Sequence, residues 1–287
     1  QAAYGVTVRV PHLAWLSMRG TGKRDYPASI GAQSPWYKEF PLIEDHFARL
    51  NTVLTRGKPV VNVAVIHPIE SMWMVYGPQS ANDDKVNHLD YTFNKVAWDL
   101  ARNKQYFNFI CEATLPDQVG EITDKLTVGC MQYSAVVVPP CFTLRSSTIE
   151  ILEKYVKNGG KLLFIGEKPK FTDGKESSRV DALFAAAEHG EMNNYLASDT
   201  LESARVVQIT DDAGVPTDDL LYCMRNDGDS KWLFITHVEQ IHKDKKLRNL
   251  YCKNIAVTVD GEFDAHIYNT MTGEVEKVSY DAKDGKT

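Results

Sequence analysis

Cysteine is scarce in this chain: five residues in 287 (Cys111, Cys130, Cys141, Cys223 and Cys252), with no CxxC pair among them. An odd number at wide spacing suggests neither a disulfide framework nor a zinc ribbon, and buried free thiols are the default reading. Long apolar runs are missing as well. None approaches the ~18 residues needed to cross a bilayer, so no membrane partner is expected. Basic charge is also in short supply. The formal net charge is −6, whereas a phosphate backbone calls for a concentrated basic surface, so no nucleic-acid partner is expected. The longest basic cluster, His242 to Arg248, is interrupted by Asp244 and reads as a solvated hairpin loop.

Cofactor motifs are absent too. No GxGxxG follows the first strand and no GxxxxGK[ST] occurs, so nucleotide binding lacks its phosphate cradle. The eight histidines form no HExxH and no close pair, and no metal is expected. No cofactor is expected at all. The chain opens on Gln1 without a charged-then-apolar leader and runs at once into a strand-like segment, which leads us to expect a piece of a longer protein.

What is present is an ordinary globular composition, 43% hydrophobic and 24% charged. The most strand-like stretch is Lys58 to Pro68, in which Val60, Val61, Val63, Val65 and Ile66 are β-branched and Asn62 is the one polar interruption. Such a run reads as a strand of a parallel sheet, buried on both faces. Ile69 to Asn82 reads as a loop. After it Val86, Leu89, Phe93, Val96, Ala97 and Leu100 form the buried face of a helix opened by Asp83 and Asp84. Further strands are expected at Phe107–Cys111, Ala135–Val138 and Leu162–Ile165, with a short one at Leu126–Val128. Between the last two core strands, Ser147 to Glu150 fits a capping box and Asn158-Gly-Gly160 a helix stop. Asp181 to Glu188 reads as a short helix.

Upstream, Val6, Val8 and Val10 alternate with polar residues as a short strand ending near Pro11. Trp36, Phe40, Ile43, Phe47, Leu50 and Leu54 then mark one helical stripe; Pro41 lies inside it, so the regular helix is expected to start there and to stop at Gly57. Beyond about Arg205, Asp227-Gly228 and Asp260-Gly261 each lie between strand-like runs and predict hairpins, and Val275 to Tyr280 follows the turn Met271–Glu274. The organisation expected is 1–57, a strand, loop and helix like one βα unit of a barrel; 58–200, an α/β domain with a parallel sheet and flanking helices; and 201–287, an antiparallel β-rich domain of sandwich type.

In an open parallel sheet ligands bind beyond the carboxyl ends of the strands. Those ends carry His67 with Glu70, Glu112, Cys141 and Glu167, which together would supply an acid–base or thiol chemistry. The competing explanation is that strand ends are polar because their backbone is exposed. Cys141 sits in Pro139-Pro-Cys-Phe-Thr143, where a nucleophile elbow would require small residues. At the end of the upstream strand, His12 and Trp15 are placed where a barrel carries its active site. An indole there suits stacking on a sugar ring, against the plainer role of packing under the following loop.

The strings PHLAWLSMRGTGKRDYP, SPWYKEFPLIEDHFARLNTVLTRGKPVVNVAVIHPIES and YSAVVVPPCFTLRSSTIEILEKYVKNGGKLLFIGE resemble the region after the catalytic barrel in large bacterial glycoside hydrolases. The similarity is to the β-galactosidase and α-L-rhamnosidase-like enzymes built as barrel, flavodoxin-like domain and β-sandwich, and it extends over residues 4–170. MTGEVEKVSY looks like a strand of the terminal sandwich. The resemblance implies a flavodoxin-like domain, similar to class I glutamine amidotransferases without their nucleophile elbow. It implies a role in oligomerisation or in shaping the active-site rim, and carbohydrate as the partner through the parent enzyme. The paired carboxylates of glycoside hydrolysis would then lie on upstream barrel strands, so it supplies no catalytic residue here. It offers only His12 and Trp15 as substrate-binding candidates. The alternative expectation is a free-standing amidotransferase-like or small-molecule hydrolase using His67, Glu70, Glu112 and Cys141.

Overall fold

The computed structural model describes residues 1–12, 14–17, 19–23, 30–78, 82–238 and 254–287. The basic cluster at 242–248 and Cys252 lie outside them. The chain forms two compact units. One comprises Gln1–Pro59, Cys223–Phe234 and Asp260–Thr287, the other Val60–Tyr222 and Ile235–Val259.

In the first unit the expected N-terminal strand is not formed. A short helical turn, Ala2–Tyr4, ends at Gly5, and residues 6–12 follow without regular structure. The valine alternation is intact, but Val6, Val8 and Val10 are exposed. No second strand among the described residues offers them ladder hydrogen bonds, and a strand cannot satisfy its backbone alone. Helix α1 (Phe40–Leu54) forms as read, with Pro41 in its first turn. Leu50 and Leu54 are buried while Ile43 is exposed, so the apolar stripe is covered at its C-terminal end only. Gly57 follows with φ +56, and a Cβ there would lie 2.0 Å from the carbonyl oxygen of Asn226. This close approach lets Lys58 and Pro59 pair antiparallel with Asn226 and Arg225.

The apolar run 58–68 is therefore two strands rather than one. Lys58–Pro59 is the edge of an antiparallel sheet, which tolerates proline's missing N–H. Val63–Ile66, here β1, opens the parallel sheet of the second unit. Four more strands complete that sheet: β2 (Phe107–Ile110), β3 (Ala135–Val138), β4 (Lys161–Ile165) and β5 (Glu188–Gly190). Their order is β2-β1-β3-β4-β5 and every pairing is parallel.

The helices of this unit are α2 (Ile69–Val75), α3 (Asp83–Arg102), α4 (Leu115–Gln118), α5 (Ser146–Lys157), α6 (Asp181–Ala186) and α7 (Asp199–Ala204). Alternate strand residues feed two separate cores. Ala64, Ile66, Val136, Val138, Leu162 and Phe164 pack with Ile149, Leu152 and Leu183 of α5 and α6. Val63, Val65, Ala135, Val137, Leu163 and Ile165 pack with Val96, Leu100, Leu201 and Ala204 of α3 and α7. Covering both faces explains why these strands are uninterrupted apolar runs.

Three expectations change here. Ile69–Val75 is a helix, not a loop. The predicted capping box is displaced, because α5 starts two residues earlier, at Ser146, and leaves Ser147 inside it; the carboxylate of Asp173 accepts the Ser146 N–H instead, at 3.0 Å. The residues after α6 form the edge strand β5. Beyond the sheet, the hairpin at Gly228 (φ +62) forms as read, joining Leu220–Asp227 to Ser230–His237. The one at Asp260-Gly261 does not. Ala256–Val259 pairs with Val207–Thr210, and His266–Tyr268 with Val275–Lys277. These antiparallel sheets are separate and small.

Candidate functional site

The strand order reverses between β1 and β3, and the loops after their carboxyl ends are where such a sheet would receive a ligand. Helix α2 follows β1 directly and carries Glu70 and Ser71, both buried despite their polarity. Ser71 Oγ accepts the backbone N–H of Phe142 at 2.9 Å and of Thr143 at 3.2 Å, and lies 3.4 Å from the Thr143 carbonyl. Glu70 Oε1 accepts Nε of Arg145 at 2.8 Å. From the end of β2, Glu112 Oε2 accepts the backbone N–H of the same Arg145 at 2.8 Å. The structure thus joins Glu70 and Glu112 through one arginine at the start of α5.

The electrostatics follow from burial. Glu112 is 1% exposed, and desolvation pushes its carboxyl up to about 7, opposed by the Arg145 N–H and the neighbouring Thr148 hydroxyl and reinforced by the Glu70 charge. Burial likewise raises the Cys141 thiol well above its ordinary range, with the Glu112 charge adding to the effect. A thiol held in its neutral form is a poor nucleophile.

Three further features argue against thiol chemistry. In a nucleophile elbow, the N–H of the residue after the nucleophile supplies the oxyanion hole. Here that residue is Phe142, and its N–H is already taken by Ser71. His67 is not positioned as a base for the thiol: its ring packs edge-on against Phe93 at 5.1 Å and Phe109 at 5.7 Å. Glu167 is solvent-exposed beside Lys170 and takes no part in the cluster. No group of three or more His, Cys, Asp or Glu side chains suited to a metal ion occurs among the described residues.

His12 is exposed and Trp15 half-buried in the first unit. Trp15 gives its carbonyl to the Gln33 side chain, and its buried indole N–H has no partner among the described residues. Sequence reasoning did not find Arg145, Ser71 or Thr148. Arg145 stood two residues before the capping-box motif, the one hint available. Ser71 had none.

No protein-family model matches the chain, and no curated protein matches it either. Solved structures do. The rhamnosidase from Novosphingobium sp. PP1Y superposes with a TM-score of 0.54 at 17% identity, over 91% of this chain and 24% of that one. The likeness is one of fold. The β-galactosidase from Bacillus circulans sp. alkalophilus gives 0.52 at 10% identity, over 90% of this chain and 45% of that one. The chain therefore spans about a quarter of the first enzyme's length and under half of the second's.

Proposed function

We propose that this chain is an accessory portion of a carbohydrate-active glycoside hydrolase, shaping an active-site rim or an assembly surface rather than performing hydrolysis. The observation that carries this is the closed strand-end cluster: its two carboxylates share Arg145, and Ser71 occupies the N–H groups an acyl-transfer site would keep open. The fold shared with parts of a rhamnosidase and a β-galactosidase supports the class. Within this reading the parallel sheet is flavodoxin-like, an assignment favoured by its order, 2-1-3-4-5 in chain order. Residues 1–57 stand for a remnant of a barrel βα unit whose helix forms without its strand, 58–200 for the accessory α/β domain and 201–287 for the β-rich domain. His12 and Trp15 are the proposed sugar-contacting residues, and carbohydrate is the partner.

Homo-oligomerisation belongs to the same reading, with the exposed Trp73 and Tyr76 on and after α2, and Tyr91 and Trp98 on α3, as the side chains offered for the contact. No helix among the described residues is long and apolar enough to cross a membrane.

The test is turnover of aryl β-galactosides and aryl α-rhamnosides by the purified chain. The proposal expects none. Turnover that is abolished by Glu70→Gln would overturn it in favour of a free-standing hydrolase using His67, Glu70, Glu112 and Cys141.

A further inference from the structure

The Glu70–Arg145–Glu112 cluster does not balance its own charge. Glu70 Oε1 takes the guanidinium and Glu112 Oε2 takes a backbone N–H, but Glu70 Oε2 is buried with no hydrogen-bond partner among the described residues. One cation faces two carboxylates, both nine-tenths or more buried. Leaving both ionised would strand a negative charge away from water, and protonating one of them removes it.

We infer that the folded chain binds one proton at the Glu70–Glu112 pair and that this proton pins helix α2 over the strand ends. Glu112, the more deeply buried of the two, carries it, in keeping with the raised affinity that burial gives its carboxyl. The other groups facing the pair do not compensate for it. The Thr148 hydroxyl and the Cys141 thiol are neutral neighbours, and Cys111 lies near enough to Arg145 to act on its charge. Asp173 spends its carboxylate on the Ser146 N–H, with Lys175 behind it, and stays ionised. The positive end of α5 favours ionised Glu112, but desolvation outweighs it.

The mechanical consequence runs through adjacent residues. Glu70 and Ser71 are neighbours on a seven-residue helix, so repulsion between two ionised carboxylates acts directly on the segment whose Ser71 holds the Phe142 and Thr143 N–H groups. Loss of the proton loosens those two bonds.

The experiment is a carboxyl-carbon NMR titration of the glutamate-labelled chain, with amide exchange measured in parallel. One glutamate is expected to titrate near pH 7, to vanish in Glu112→Gln, and to move to acid by ~0.5 pH unit or more in Glu70→Gln, a change of about threefold in proton affinity. The protection of the Phe142 and Thr143 amides is expected to fall about tenfold between roughly pH 5.5 and 7 in the wild type, where the folded state still holds a proton that the opened state has lost, and to stay level in Glu112→Gln. If no glutamate titrates above about pH 6, or if wild-type protection is flat through that range, the inference fails. Should Glu112→Gln not fold, Glu70→Gln decides: an unmoved midpoint overturns it.

Discussion

Replacing Glu112 by glutamine should change how the protein's stability depends on pH. In the unfolded chain Glu112 returns to its ordinary value of 4.5, while in the folded chain it is pushed up to about 7. Between those values the native state holds a proton that the unfolded state has lost, so stability falls as pH rises across the window. The contribution is fully present below pH 4.5 and gone above about 7. At 1.36 kcal/mol per pH unit, the shift from 4.5 to about 7 amounts to about 3 kcal/mol. Glutamine mimics the protonated acid at every pH. The assay is urea unfolding followed by circular dichroism at several pH values from about 5 to 8. Wild type should lose about 3 kcal/mol over that span relative to Glu112→Gln, so the two curves converge at acid pH and separate at neutral pH. Parallel curves would refute the reasoning.

Other consequences are local. Gly160→Ala should destabilise by about 1–3 kcal/mol, because the added Cβ would lie 2.2 Å from the Tyr155 ring, itself fully buried in the core; thermal unfolding measures it. Tyr155→Phe should cost about 1 kcal/mol by the same measurement, since the hydroxyl donates to the Ser134 carbonyl at 3.0 Å and approaches that of Lys161 at 3.3 Å. Ser71→Ala strands the N–H groups of Phe142 and Thr143 and should cost about 1–3 kcal/mol, with faster exchange confined to those amides.

The parts of the fold that were legible in the sequence share one property: their neighbours lie on both sides. Val63–Ile66, Ala135–Val138 and Leu162–Ile165 are buried on two faces, so burial wrote itself into composition. Helix α2 was hidden because its seven residues bury Glu70 and Ser71 and expose Trp73, inverting the usual pattern. The start of α5 was misplaced because its cap is Asp173, 27 residues downstream in a turn, where no local motif records the contact. β5 is three residues long and reads Glu-His-Gly, which no periodicity identifies.

The same logic divides the site. Glu70 and Glu112 could be placed at strand ends from the order of elements alone. Their shared arginine could not: Arg145 is 75 residues from Glu70 in the chain, and only the parallel crossover from β1 to β3 brings them together. Without Arg145 and Ser71, strand-end carboxylates and a thiol resemble a catalytic rim. With them, the Arg145 guanidinium and the Phe142 and Thr143 N–H groups are already engaged.

The closure of that rim is measured most directly at Cys141. Iodoacetamide labelling followed by peptide mass analysis reads each cysteine separately, with the exposed Cys111 and Cys130 as internal references. A half-buried thiol held neutral by desolvation beside Glu112 predicts that native Cys141 reacts at least about tenfold more slowly than it does in urea, while Cys111 and Cys130 change little. Native Cys141 reacting as fast as the unfolded thiol, or faster, would contradict the account.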